Sequence, residues 1–356
     1  MNSKEISTGM LNMFTQPVFQ VKDGMILAAN QSAQALQIRE NTSVFDLLVS
    51  GEDAYRDFSG GSLSLTLAIG PVNMIAAVVR ADESDYFHLL SGSEAPDLQA
   101  LALASQQLRD PLSNIIALSD GLFAMEQNSM DEKKKHRIAQ LNQNLHRLLR
   151  TVGNMSDVHG CADRKIGMEP LNIPDILRET AETVQQQLDS NVCRLELSVA
   201  GSTTVGMADR DLLERAVFNL LSNALRYRDA DTAVCASIRC DKNRVLFTVE
   251  NSCTELTPEM LGTIFFRYRR TPSITDGNKG LGLGIPMVLS AAAAHKGSLL
   301  VTQPTPGKVR FCLTIPVIPD KSGALRSPVL RPDYAGGYDR SLIELSDILP
   351  ASAYEK

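Results

Sequence analysis

Three hydrophobic rhythms follow one another along the chain. Between residues 16 and 90, apolar and polar positions alternate in short runs, the period of half-buried strands. Pro17-Val-Phe-Gln-Val reads as a strand, Lys22-Asp-Gly-Met as a turn, and Met25-Ile-Leu-Ala as the next strand. Asn30 is placed to cap a helix beginning Gln31-Ser-Ala. Ser62-Leu-Ser-Leu-Thr-Leu and Val72–Arg80 give two further strands.

From residue 96 to 160 the spacing lengthens to threes and fours. Leu98, Leu101, Ser105, Leu108, Leu112, Ile115, Ser119 and Leu122 mark one seam. Ile138, Leu141, Leu145, Leu148, Val152 and Met155 mark a second, after a polar turn at 127–131. Such heptads favour packing at coiled-coil angles. Two helices cannot bury both apolar faces by themselves, so the pattern predicts a hairpin that dimerises into a four-helix bundle.

Beyond residue 170 strands and helices mix. The sequence predicts helices over 173–188, 209–227 and 285–295, and strands over 194–199, 234–239, 245–250, 299–302 and 309–315. After Pro319 the chain is rich in Pro and Gly and is expected to be mobile. Ser341–Leu349 is the exception, a short apolar-patterned segment able to dock.

Composition narrows the functional classes. The 356 residues, 44% hydrophobic and 21% charged, are enough for two or three domains. Aromatics make up 5% with no Trp, and the net charge is −6, which disfavours nucleic acid and anionic membrane as partners. The longest uncharged stretch, Phe58–Val79, is broken by serines, Pro71 and Asn73, so no membrane span is expected. The first ten residues lack an apolar signal core, and the six cysteines form no CxxC pair. The expected setting is cytoplasmic, with reduced thiols.

Candidate chemistry clusters in two boxes. Asn219 and Asn223 lie four apart on one helix face, where their amide oxygens can serve a Mg²⁺ ion. Arg226, three residues on, can reach a phosphate. Further along, Asn278-Lys-Gly-Leu-Gly-Leu-Gly-Ile precedes an apolar helix. Glycines let backbone approach a phosphate chain, and the helix start offers free N–H groups.

The order of these boxes, with Ile264-Phe-Phe-Arg-Tyr-Arg-Arg between them, resembles the ATPase domain of sensor histidine kinases. It is similar, more distantly, to the Bergerat-type domains of DNA gyrase, heat-shock chaperones and mismatch-repair ATPases. Ser105-Gln-Gln-Leu-Arg-Asp-Pro-Leu resembles the family's phosphoacceptor box, and the likeness covers roughly 98–317. The first module resembles a PAS domain, with a ligand-free dimerising module as the equal alternative.

The resemblance implies ATP and Mg²⁺ as cofactors. Asn219 and Asn223 would hold the metal, Arg226 a phosphate, and Tyr227 would line the pocket. Asn251 stands where the family has the aspartate that receives the adenine amino group. Lys279, Gly280, Leu281, Gly282, Leu283 and Gly284 would line the phosphates beneath a lid over 265–278. The basic run Arg267, Arg269 and Arg270 is either a solvated lid edge or a phosphate contact.

Three departures stand out. Cys253 and Glu255 replace two glycines of the adenine-side loop. Gln106 replaces the phosphoacceptor histidine, and Gln107 its neighbouring acid. A carboxamide nitrogen is a poor nucleophile and Gln107 is no base, so both halves of the acceptor chemistry are missing.

The expected architecture is an α+β multidomain chain. It comprises a PAS-like α/β module (1–92), a dimerising antiparallel helical hairpin (93–162), an α/β-sandwich ATP-binding domain (163–319) and a mobile tail (320–356). The expected function is histidine-kinase-like signalling that binds ATP·Mg²⁺ without phosphorylation at the usual position. Expected partners are a second copy through the hairpin, and a response regulator or partner kinase. The alternatives are an active kinase using another residue or another chain, and a non-catalytic dimeric scaffold.

Overall fold

The computed structural model describes residues 9–81, 83–90, 112, 115–116, 119, 132–160, 166–188, 193–201, 204–241, 243–253, 257–265, 284–319 and 339–355. Strands β1 (Val18–Lys22) and β2 (Met25–Ala29) form a hairpin whose turn holds Asp23 and Gly24 at positive φ. Asn30 caps helix α1 (Gln31–Ala35), its side chain accepting from the Ala33 N–H. The same buried amide donates to the carbonyls of Gln16 and Phe14, pinning the preceding chain to the helix start. Then come β3 (Leu48–Ser50), α2 (Glu52–Arg56), β4 (Ser62–Ile69), β5 (Val72–Ala81) and β6 (Ser84–Leu90). Phe19, Ile26, Leu65 and Phe87 anchor the core of this unit.

Inside it, the Tyr55 hydroxyl donates to Asp85, which is also gripped by Arg80 at 2.7 and 2.9 Å. Burial first, then Asp85, raises the Tyr55 pKa. His88 on β6 is held neutral, because burial lowers its pKa from 6.5 to about 4. Its contribution to stability is complete above pH 6.5 and declines as pH falls towards 4, as the unfolded chain takes up the proton first. The total is roughly 3 kcal/mol at most. Urea titrations of wild type and His88→Phe should therefore diverge below pH 6.5, the wild type losing stability faster. Parallel curves would refute this.

Helix α3 (Glu132–Gly160) follows. The last globular unit contains β7 (Glu169–Asn172), α4 (Ile173–Gln187), β8 (Leu195–Ala200), β9 (Val205–Ala208), α5 (Arg210–Tyr227), β10 (Val234–Asp241), β11 (Arg244–Ser252), α6 (Pro258–Gly262), α7 (Gly284–Ala294), β12 (Ser298–Thr302) and β13 (Lys308–Pro316). Helices α4, α5 and α7 bury apolar faces against the sheet to make an α/β sandwich. Helix α8 (Arg340–Glu344) and a 3-10 turn at Ala351–Tyr354 end the described chain.

The two globular units share one sheet of eleven strands, ordered β2-β1-β6-β5-β4-β12-β13-β11-β10-β8, with β3 on β4. Only β8 and β10 run parallel among these pairs. The join is antiparallel: Leu299 faces Ser64, Leu300 faces Leu63 and Val301 faces Ser62. Ser64 Oγ accepts from the Leu299 N–H at 2.9 Å, and Ser62 Oγ donates to the Leu261 carbonyl at 2.8 Å. Six successive residues, Ser62 to Leu67, are buried, as both faces of β4 are covered. Sequence alternation had implied a half-exposed strand.

Of the expected hairpin, α3 is present, and of its partner helix only Leu112, Ile115, Ile116 and Ser119 are described. Ile116 packs with Leu145, Leu149 and Ile343. Among the described residues no helix is long and apolar enough to cross a membrane.

Candidate functional site

Helix α5 is shaped by Leu212, Leu213, Ala216, Val217, Leu220, Leu221, Ala224 and Leu225, all buried. Asp209 caps it, accepting from the Leu212 N–H. Because this apolar band is broad, Asn219 is carried to full burial, while Asn223, one turn on, stays partly exposed. Asn219 Nδ2 donates to the Arg215 carbonyl at 2.9 Å, which turns its Oδ1 away from its own helix backbone.

Helix α7 starts at Gly284, the last glycine of the run, and is apolar nearly all round, as suits a helix wedged between α5 and the sheet. A Cβ built on Gly284 would lie 3.0 Å from Asn219 Oδ1, 3.5 Å from Asn223 Nδ2 and 3.6 Å from Asn223 Oδ1. The glycine run therefore ends directly on the asparagine pair. Only a residue without a side chain leaves that approach open. His295 locks the two helices together: its Nε2 accepts from the Asp209 N–H at 2.9 Å, and its Nδ1 donates to the Ala291 carbonyl at 2.7 Å. Burial lowers its pKa, keeping the neutral ring that this pattern requires.

Asn251 lies on β11, beneath α5, and is 2% exposed. Its Nδ2 donates to the Ser252 carbonyl, but its buried Oδ1 has no hydrogen-bond partner among the described residues. Buried amide oxygens are rarely left unpaired, so this atom is a ready acceptor for an N–H group. Cys253, where the resemblance implies a glycine, donates its N–H to Gly307.

A Histidine kinase-, DNA gyrase B-, and HSP90-like ATPase domain matches residues 208–319, which contain all of these groups. Sensor histidine kinase CusS of Escherichia coli is 28% identical over 215 residues, 60% of this chain and 44% of CusS. Residues 208–319 thus form a domain of this ATPase family, and the chain is similar to sensor histidine kinases over 60% of its length. The family member BaeS of Escherichia coli is 27% identical over 224 residues, 61% of this chain and 46% of that protein. The chain thus spans less than half the length of these curated relatives. Among solved structures, full-length ShkA in complex with AMPPNP covers 62% of this chain at 20% identity and a TM-score of 0.48, with 46% of ShkA matched. The mycobacterial sensor histidine kinase MprB covers 43% at 22% identity and a TM-score of 0.35, with 99% of that chain matched.

The structure brings Asn219, Asn223 and Gly284 together, with Arg226 at the same end of α5. Tyr227 is half exposed, and the Arg226 guanidinium lies 5.7 Å from its ring centre. Gln106, Gln107, Lys279, Gly280, Leu281, Gly282 and Leu283 lie outside the described residues.

Two neighbours of this family site were not legible in the sequence. Arg150 of α3 donates through Nη2 to Asn219 Oδ1 at 3.3 Å and to Ser222 Oγ at 2.9 Å. Asp347 of the C-terminal segment pairs with Arg226 at 3.3 Å. The one available signal was the apolar pattern of Ser341–Leu349, which contains Asp347; Arg150 had none.

Proposed function

We propose that this chain binds ATP·Mg²⁺ in the Asn219–Gly284 site. It then acts as a histidine-kinase-like signalling protein that does not place phosphate on position 106. The single observation carrying the first half is the buried Oδ1 of Asn251, which has no hydrogen-bond partner among the described residues of the domain that also holds the Gly284–asparagine approach. Asn251 would accept from the adenine amino group, while Asn219 and Asn223 would offer oxygens to the metal. Arg226 would neutralise a phosphate, and the N–H groups ahead of α7 would receive another. The metal would draw charge from the phosphates when bound. The second half rests on the chemistry of glutamine at 106 and 107.

In this reading the first unit is a PAS-like input module. Its β4 reaches the ATPase edge strand and, through Ser62, helix α6, which leads into the expected lid. The hairpin supplies a homodimer seam, for which Leu141 and Leu148, seven apart and half exposed on α3, speak. A response regulator or partner kinase would read the outcome.

Asn223→Ala should weaken Mg²⁺-ATP binding by at least roughly tenfold while leaving the urea midpoint near wild type. Isothermal titration in parallel with denaturation checks both. Heat-free titrations of the unmutated chain would defeat the proposal. Incubation with γ-labelled ATP should leave the chain unlabelled, and an acid-labile label on it would favour the active-kinase reading.

A further inference from the structure

The described C-terminal segment, 339–355, closes over α3 and α5. Ile343, Glu344, Leu345 and Ser346 are fully buried, and Leu342, Leu349 and Tyr354 join the hydrophobic core. Gln143 of α3 donates to the carbonyls of Ser346 at 3.1 Å and Leu349 at 2.7 Å. The Tyr354 hydroxyl donates to the Leu342 carbonyl, folding the segment on itself. Its acids meet a cationic surface. Glu344 lies 3.3 Å from Arg150 Nε and 3.6 Å from Arg215 Nε. Asp347 lies 3.0 Å from Arg150 Nη1, 3.3 Å from Arg226 Nη1 and 3.5 Å from Arg147 Nε.

These contacts reproduce the charge order expected of ATP·Mg²⁺. The Arg150 guanidinium sits on Asn219 Oδ1, where a metal cation would draw on that oxygen. The Asp347 carboxylate sits on Arg226, where a phosphate would. Asn219 Oδ1 cannot serve the guanidinium and a metal at full strength together. A phosphate on Arg226 would meet the Asp347 carboxylate on the same guanidinium.

We infer that the 339–355 segment is an intrachain ligand of the nucleotide site, so that its docking and ATP·Mg²⁺ binding exclude one another. The inference rests on the ATP-binding reading above. Displacing the segment frees the face of α3 that holds Gln143, Arg147 and Arg150, so nucleotide occupancy is transmitted to the helix that carries the dimer seam. Linkage requires the effect to be reciprocal: whatever holds the segment down weakens nucleotide binding by the same factor.

The test uses the 356-residue chain and its Asp347→Asn variant, which keeps the side chain's shape and removes its charge. Mg²⁺-ATP affinity is measured by isothermal titration. Amide exchange across 339–355 is followed by mass spectrometry, with and without saturating Mg²⁺-ATP. The expected result is roughly tenfold tighter binding by Asp347→Asn, a coupling of ordinary size for linked sites. Faster exchange at 339–355 in the nucleotide-bound wild type is expected with it. Measurable binding with unchanged exchange, or with equal affinity in both proteins, overturns the inference and leaves ATP binding intact. No binding by either protein defeats the ATP-binding reading itself, and the competition falls with it.

Discussion

Gly61→Ala is expected to split the common sheet. Gly61 lies just before β4 at φ +90°, a left-handed conformation costly for any residue with a Cβ. A Cβ there would stand 2.2 Å from the Val301 carbonyl oxygen and 3.3 Å from Thr302 Cα. Both are backbone atoms of the partner strand, so no rotamer change relieves the clash. The pairing of Ser62 and Ser64 with β12 must open instead. The expected loss is about 3 kcal/mol or more, combining strain with lost pairing. A single thermal transition should resolve into two, as the first globular unit and the ATPase domain come apart. Gly70→Ala is the control, with a positive φ of 58° but nothing within 4 Å of the added Cβ. It should cost about 1 kcal/mol and keep one transition. Calorimetry of the three proteins decides, and a Gly61→Ala protein that melts like wild type would disprove the shared sheet.

Glu344→Ala is expected to destabilise the chain by roughly 3–5 kcal/mol, the ordinary cost of stranding a buried partner charge. The Glu344 side chain is 1% exposed, as is that of Arg215, and that of Arg150 is 9% exposed. Removing the carboxylate takes a buried ion-pair partner from both guanidinium groups, of which Arg150 keeps Asp347 at 3.0 Å. Arg215 retains its bond to Asn154 Oδ1 at 3.1 Å, but that oxygen carries no net charge. The rim acid Asp347, 27% exposed, should matter far less to stability: Asp347→Asn is expected to cost about 1 kcal/mol or less. Urea denaturation of the two variants measures the contrast. Equal midpoints for Glu344→Ala and wild type would show that the segment is not seated as described.

These expectations concern contacts that sequence periodicity does not encode. The elements themselves were largely readable. The helix expected over 209–227 is observed at Arg210–Tyr227 with Asp209 as its cap, and the helix over 285–295 begins one residue earlier, at Gly284. Strands expected over 245–250 and 309–315 extend by one or two residues at each end. Asn30 is an N-cap, as its position ahead of Gln31-Ser-Ala required. Each of these rests on local side-chain spacing, caps and turn residues, which act within a few positions along the chain.

Part of the candidate site was equally legible. Asn219 and Asn223 share a face because they are four apart on a helix, and Gly284 opens the helix that meets them. The motif order placed both boxes in one ATPase domain, and the family match over 208–319 agrees. What the motifs left undetermined was the charge that each box faces. Arg150 stood among the many cations of a long helix, and Glu344 and Asp347 lay in Ser341–Leu349, a segment expected to be able to dock but with no partner indicated. A charged residue has the same local signature whether it ends in water or in a buried pair.

By itself, then, the sequence determined the longer helices and strands of the ATPase domain, the nucleotide-type boxes and the absence of a histidine at position 106, but not the short elements such as β3, β7 and β9. Only the tertiary structure decided that β4 continues the ATPase sheet, that Arg150 engages Asn219, and that the segment from 339 to 355 is seated beside Arg226. The reason is one of range. Strand pairing and charge pairing here join residues about 70 to 235 positions apart, and which partners meet is set by the packing of whole units rather than by neighbours in the chain.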